Sequence, residues 1–324
     1  MTVLSPRIQI SLALITGILL CGTVYSIRNG TFLDTSNPLL ASLPHPAYQH
    51  GFFANKKNIL NQWFVKKSWG WTSLAFWAVW LTAPAGSSAK DGLAIGRWIG
   101  ATLVWTLFVG WFFGPSLFDR IGDFSGRECV ILLPPGISAA APGSPTVSEM
   151  LYSAIAVPAK FCLGRVAISP ESHPALFAHP PESLEAAAAH VPSMPELKES
   201  LKGFVPRFYH GHDVSGHTFL LTLSVLLLVD HLVRARRPAQ ANKASAAAHQ
   251  TPPTGLLWLV SLVAGWALVG LWLVMLGATA VYYHTWQEKL SGFLIAVVGY
   301  VISQYPFDPA PATVTPPVVV TKAE

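Results

Sequence analysis

Long apolar runs, separated by short polar or Pro-rich stretches, set the pattern of this chain. A helix that crosses a bilayer needs roughly 17–25 mostly apolar residues, because only intrahelical hydrogen bonds satisfy the backbone in hydrocarbon. Six stretches meet or approach that length. They run from about Ile8 to Ile27, Gly70 to Ala83, Ala94 to Phe113, Ser215 to just before Arg234, Gly255 to Tyr282, and Leu290 to Tyr305. The second is short and Trp-rich, and Gly114-Pro115 closes the third. The pattern predicts an all-α polytopic membrane protein with about six transmembrane helices. Residues 1–306 form its single membrane domain and 307–324 a disordered cytoplasmic tail rich in Pro, Val and Thr. A signal peptide is the alternative for the first run, with Arg7 as its basic flank. That run is longer than a usual signal core, and no clear small-x-small cleavage site ends it.

Three segments lie outside the spans. Residues 28–69 carry Lys56, Lys57, Lys66 and Lys67 among aromatics, the pattern of a helix lying at the interface. Residues 115–213 form a large loop rich in Pro, Ala and Ser. Its middle, near Pro170 to Pro195, reads as flexible, and only 193–203 reads as a short helix. The third segment is the tail. Arg234, Arg236, Arg237 and Lys243 follow the fourth span and place that connection in the cytoplasm, which puts both termini there too. The lysines of the first loop pull the other way, and a loop as long as 115–213 does not vote. The sequon Asn29-Gly30-Thr31 sits almost at the membrane.

Composition narrows the class. Of 324 residues, 52% are hydrophobic and 11% charged, where soluble domains carry about 25% charged residues. Mean hydropathy is +0.44. These values exclude an ordinary soluble enzyme and a disordered regulator. The net charge of +5 comes without a basic, aromatic-interleaved stripe, so nucleic acid is not an expected partner. The three cysteines, Cys21, Cys129 and Cys162, show no CxxC spacing. Cys129 and Cys162 share a membrane face and could pair if that face is oxidising.

Ionisable residues at membrane spans are costly and therefore mark candidate chemistry. Two clusters stand out: His210-Gly211-His212-Asp213-Val214-Ser215-Gly216-His217 at the start of the fourth span, and His284-Thr285-Trp286-Gln287-Glu288-Lys289 between the fifth and sixth. With six spans both lie on one face, opposite Arg234–Arg237. If 284–288 is helical, His284 and Glu288 sit at i and i+4. The carboxylate can then hold one imidazole nitrogen and leave the other as nucleophile or base. Ser215 and Gly216 at a helix N-terminus suit a phosphate oxyanion, and His217 can protonate a leaving group. Asp213 is equally readable as a helix N-cap, and Glu288 as a partner of Lys289. His210 and His212 read better as interfacial anchors.

Ser215-Gly216-His217 with the later His284 and Glu288 resembles the second and third motifs of the type-2 phosphatidic acid phosphatase superfamily. The fuller strings GHDVSGHTFLL and YYHTWQEKLSG resemble the fat storage-inducing transmembrane (FIT) family of the endoplasmic reticulum. The close likeness covers roughly residues 209–234 and 279–296. It implies a lipid phosphate phosphatase-like core and an enzyme that cleaves the diphosphate of fatty acyl-CoA on the lumenal side. The products would be acyl 4′-phosphopantetheine and adenosine 3′,5′-bisphosphate. It also implies a part in lipid-droplet formation and the binding of neutral lipid, diacylglycerol or triacylglycerol. By carry-over His284 is the nucleophile, Glu288 its orienting acid, and His217 the acid on the leaving group. Ser215, Gly216 and Asp213 line the phosphate site, with no metal and no cofactor.

The superfamily's first motif, Lys-x6-Arg-Pro, is absent; the only Arg-Pro is Arg237-Pro238, on the wrong face. Gly277-Ala278 also stands where the third motif has Ser-Arg. A dianionic phosphoryl group calls for cationic clamps, and Lys202, Arg207, Lys160, Arg165 and Arg127 are candidates on the right face. Other readings remain beside this one. His210-x-His212-x4-His217 has the look of a zinc site, and facing histidines can ligate haem. A rhomboid-like intramembrane serine protease would use Ser215 and His284. A non-catalytic neutral-lipid-binding scaffold would use the Trp-rich spans.

Overall fold

The computed structural model describes residues 5–32, 45, 47, 51–84, 87–90, 92–110, 116–132, 154–164, 168, 206–209, 211–236 and 255–307. Its membrane part is entirely helical. Five helices are long and apolar enough to cross a bilayer: α1 (Pro6–Asn29), α3 (Gly92–Val109), α6 (Gly216–Ala235), α7 (Leu256–Tyr282) and α8 (Trp286–Gln304). A sixth, α2 (Ser68–Thr82), has 15 residues. It is extended at its start by a π-turn over Leu60–Phe64 and a 3₁₀ turn over Val65–Lys67. The second span therefore begins about ten residues earlier than the apolar pattern indicates. Lys66 and Lys67 lie in the 3₁₀ turn that leads directly into α2.

The α6 helix is the post of the bundle. Its sequence is apolar on all sides, the pattern of a fully enclosed helix, and 83% of its apolar window is buried, against 22% for α1. It packs on α1, α2, α3, α7 and α8. Phe219, Leu221, Leu223, Leu226 and Leu228 are completely buried around its circumference. By contrast α1 and α7 present Ile10, Leu20, Leu256 and Val263 outward, as lipid-facing helices do. The tryptophans of α2 are packing groups. Trp69 stacks on Trp105 of α3, Trp98 donates to Ser73 Oγ at 3.1 Å, and Trp272 of α7 donates to Thr72 Oγ1 at 3.3 Å.

One end of α6 is tied by charge. Asp230 accepts from Arg234 Nε and forms an ion pair with Arg7 Nε, each at 2.7 Å, which fastens the start of α1 to the end of α6. On the same side Ser87 Oγ donates to the carbonyl of Ala235, and Arg97 reaches the carbonyl of Phe307.

Between α3 and α6 the chain builds a small module outside the bundle. It comprises α4 (Leu117–Phe124), strand β1 (Glu128–Leu132), β2 (Ala154–Ala156), α5 (Ala159–Gly164) and β3 (Arg207–Tyr209). The antiparallel sheet has the order β2-β1-β3, with Val130 opposite both Ala156 and Arg207. Cys129 and Cys162 are joined by a disulfide that closes 33 residues and staples α5 to β1. Cys129, Ile131, Val157, Cys162 and Ile168 form the module's own small core. The expected helix at 193–203, the flexible middle of the loop and the tail from 308 onward lie outside the described residues.

Removing Asp230 leaves two nearby guanidiniums without their buried carboxylate. Asp230→Ala is therefore expected to lower stability by about 3 kcal/mol, read as thermal unfolding in detergent. An Arg7→Met/Asp230→Leu pair should recover much of that loss.

Candidate functional site

At the other end of α6, opposite Asp230, the two histidine clusters meet. The turn between α7 and α8 is three residues long. Tyr283 is extended, His284 takes φ +62°, and Thr285 is the N-cap of α8. Thr285-Trp286-Gln287-Glu288 is a capping box: Thr285 Oγ1 accepts from the Glu288 N–H, and Glu288 Oε2 accepts from the Thr285 N–H at 2.8 Å. Oε2 also lies 3.2 Å from His284 Nδ1. The His284–Glu288 pair is thus made differently from the helical i,i+4 face that spacing suggests. His284 is outside the helix in a left-handed conformation, and Glu288 folds back over the N-terminus to meet it. A carboxylate on Nδ1 favours the Nδ1–H tautomer and leaves the lone pair on Nε2.

The GHDVSGH segment is fitted against this turn. The Ser215 N–H donates to the Glu288 carbonyl at 3.1 Å, which joins the start of α6 to the first turn of α8. Contact is close enough that a Cβ on Gly292 would lie 2.5 Å from the Ser215 carbonyl oxygen. Gly211, at φ +76°, is equally confined, since a Cβ there would meet Arg127 Cβ at 2.7 Å and the Gly122 carbonyl at 2.8 Å. His212 is a strut. Its backbone N–H donates to Ser125 Oγ, and Nε2 lies 2.8 Å from Ser291 Oγ. Because the Ser291 hydroxyl donates to the Glu288 carbonyl, His212 Nε2 carries the proton of that contact.

Ser215 is completely buried, and its hydroxyl caps α6 through Thr218, 2.9 Å from Thr218 Oγ1. Gly216 and His217 then follow as the first residues of α6, whose leading N–H groups have no intrahelical acceptor. His217 is half-buried and in electrostatic range of His284, Lys66 and Lys56. Asp213 is exposed as a residue, but its carboxyl end lies within 4.8 Å of the ligand atoms of His284 and Glu288. Protein packed around its carboxyl raises it above the usual carboxylate range. His284 opposes that rise, Glu288 adds to it, and Arg127 and His212 oppose it.

Asp213, His284 and Glu288 offer ligand atoms within 4.8 Å of one another, the one such group among the described residues. It differs from the zinc spacing, for which His212 is bonded elsewhere and His210 lies outside the described residues. An apolar cavity of 410 Å³ lies between α1 and α8, and Lys289, the residue after Glu288, is among its walls. Thr16, Leu20, Ile27, Trp286 and Phe293 line it, on the face of α8 turned away from Glu288.

Among the proposed phosphate clamps, Arg127 is already engaged. Its guanidinium bonds Asp123 Oδ1 at 3.0 Å and the Asp119 carbonyl at 2.9 Å, and it stacks 3.7 Å from the Phe208 ring centroid. Lys160 is exposed on α5, over Phe161. Only the backbone of Arg207 is described, in β3, and Lys202 and Arg165 lie outside the described residues. Two lysines of the segment before α2, Lys56 and Lys66, are instead in electrostatic range of His217. Lys56 Nζ stands 6.0 Å from the ring centroid of Tyr283, the residue before His284. The loop is stitched to the end of α7: Tyr283 OH donates to the Phe53 carbonyl and Thr31 Oγ1 to the Val281 carbonyl, each at 2.8 Å. Burial, with Tyr282 adding to it, raises the Tyr283 phenol far above its usual range, so it stays a donor. Asn55, Asn58 and Asn61 recur at every third residue around Lys56 and Lys57, but that local pattern says nothing of where a loop folds back.

The family model described as fat storage-inducing transmembrane protein matches residues 49–303. The acyl-coenzyme A diphosphatase fit1 of Schizosaccharomyces pombe is 28% identical over 285 residues, covering 88% of this chain and 79% of that protein. The acyl-coenzyme A diphosphatase FITM2 of Homo sapiens is 24% identical, covering 86% and 77%. The FITM2 of Danio rerio is also 24% identical, covering 77% and 71%. No solved structure matches.

Gly292→Ala should push α6 away from α8 and cost about 1–3 kcal/mol, seen as a lower thermal unfolding midpoint. Asp213 has a raised folded-state value, so its ionisation opposes folding as pH climbs through that value. Asp213→Asn is therefore expected to be more stable than wild type at neutral pH. That advantage should vanish on acidification through the carboxylate range, checked by unfolding at several pH values.

Proposed function

This chain belongs to the fat storage-inducing transmembrane family, and from that membership we propose that it is a membrane hydrolase cleaving the diphosphate of fatty acyl-CoA. The observation that carries the reading is the His284–Glu288 pair at 3.2 Å, held at a helix start beside His217. His284 Nε2 attacks one phosphorus, the bridging P–O bond breaks, and His217 protonates the departing oxygen. Glu288 keeps the proton on Nδ1 and stabilises the imidazolium. One half of the substrate departs in that step, and water then hydrolyses the phosphohistidine to release the other, so that the two products are acyl 4′-phosphopantetheine and adenosine 3′,5′-bisphosphate. The N–H groups of Gly216 and His217 serve the phosphoryl oxygens. Ser215 contributes by setting the start of α6, since its own hydroxyl is committed to Thr218. Asp213 borders the phosphate site.

The membrane is that of the endoplasmic reticulum, with a lumenal site and cytoplasmic termini. In support, the Cys129–Cys162 disulfide belongs to an oxidising compartment, and Arg7, Arg234 and Arg236 gather at the far end of the bundle. The acyl tail stays in the bilayer, and the lipid-facing cavity between α1 and α8 is a place for it. The reading extends to neutral lipid, diacylglycerol or triacylglycerol, as bound lipid, and to lipid-droplet formation. Burial of Ser215 and its bond to Thr218 speak against a serine protease.

Purified protein in detergent should convert oleoyl-CoA to the two named products, resolved by mass. His284→Asn suits the left-handed backbone and should fold, with turnover down by about a thousandfold or more. His217→Ala should lose about a hundredfold, and less for leaving groups of low pKa. A folded wild type that makes neither product would favour the scaffold reading.

A further inference from the structure

A diphosphate brings several negative charges, and the pair at the centre of this site ends in a carboxylate. Something cationic must offset both. Arg127 is held by Asp119 and Asp123, and Lys289, though beside Glu288, is buried and donates to the Ala280 carbonyl at 2.7 Å.

We propose that Lys56 and Lys66 form the cationic clamp that holds the substrate's diphosphate against His284 and His217. The proposal rests on the diphosphatase reading and names the residues that bind its anion. Both ammonium groups lie in electrostatic range of His217. Lys56 comes in from the Tyr283 side, and Lys66 from the mouth of the second span.

The two lysines are coupled by one side chain. Gln62 Oε1 accepts from Lys66 Nζ at 3.0 Å, while Gln62 Nε2 donates to the Lys56 carbonyl at 2.8 Å. Asn61 Nδ2 donates to that same carbonyl at 2.7 Å, and Asn61 is itself held through its N–H by Asn58 Oδ1. The backbone at Lys56 is thus set by two amide donors before any ligand arrives, which lowers the ordering cost of binding. Lysine suits the task because a compact ammonium with three donors can keep Gln62 and still reach an anion. The adjacent lysines serve as internal contrasts: Lys57, exposed as Lys66 is, turns its backbone N–H to Asn55 Oδ1, and Lys67 lies 4.1 Å from the Trp63 ring centroid in a cation–π contact.

The test uses the full-length protein in neutral detergent, with inorganic pyrophosphate as the probe in calorimetric titrations and oleoyl-CoA in kinetics. Lys56→Ala and Lys66→Ala should each weaken pyrophosphate binding and raise KM about tenfold, and together about a hundredfold. Raising the salt concentration should weaken wild-type binding much more than that of the double variant. Lys57→Ala and Lys67→Ala should bind as wild type does. Unfolding midpoints identify any variant that fails to fold, and Lys66→Gln, at an exposed position, then stands in its place. Unchanged pyrophosphate binding in the double variant, no binding by wild type, or equal losses at Lys57 and Lys67 would overturn the clamp. A wild type that binds pyrophosphate through Lys56 and Lys66 yet leaves oleoyl-CoA intact would instead sink the diphosphatase reading alone.

Discussion

Everything at the reactive end of this protein hangs on Glu288. Its carboxylate closes the N-terminus of α8 through the Thr285 N–H and at the same time takes Nδ1 of His284. Its carbonyl accepts from the Ser215 N–H and from the Ser291 hydroxyl. One residue therefore ends a turn, aims an imidazole and locks two helices together. Such a group does not need a long second layer to orient it, because helix formation itself places it. The cost is that the pair cannot be altered without unsettling the fold beside it.

From that junction the layout follows. The α6 helix is enclosed on all sides, so its two ends are the points where polar groups can collect without facing lipid tails. One end carries Asp230 with two arginines, and the other carries the Ser215-Gly216-His217 start. The stapled module from α4 to β3 sits beside the second end and delivers Gly211 and His212 to it. Arg127 works inside that module as a cross-brace. Lys56 of the first loop stands on the same side, 6.0 Å from the ring of Tyr283.

The spans were readable because burial in lipid demands uninterrupted apolar length; the second, which begins about ten residues early, is the exception, because Asn61, Gln62, Lys66 and Lys67 interrupt its apolar pattern. The pairing of His284 with Glu288 was readable from spacing, although the helical face invoked for it was not the geometry. The T-x-x-E box over Thr285–Glu288 carried that information locally. The three-stranded sheet was hidden because its strands are 3 to 5 residues long and far apart in sequence, so no local periodicity marks it. Arg127 looked available because its acidic partners matter only once α4 folds. The fold of the loop that carries Lys56 was hidden because the Tyr283–Phe53 and Thr31–Val281 bonds that hold it to the end of α7 join distant positions.

The Arg7–Asp230 bond also bears on how the chain can be made. The α1 helix leaves the ribosome before α6, with much of its surface suited to lipid and an arginine at its edge. The α6 helix follows much later, carrying buried Asp230, His231, Thr222 and Ser224, groups that a lone helix would have to hold against hydrocarbon. The earlier helices thus form a waiting berth, and Arg7 is its mooring for a segment that cannot rest in the bilayer alone. The enclosing wall is finished only when α8 arrives and Gly292 lets it close. Order of synthesis and order of packing coincide for the outer helices and part company at the centre, where the post is set among walls already standing.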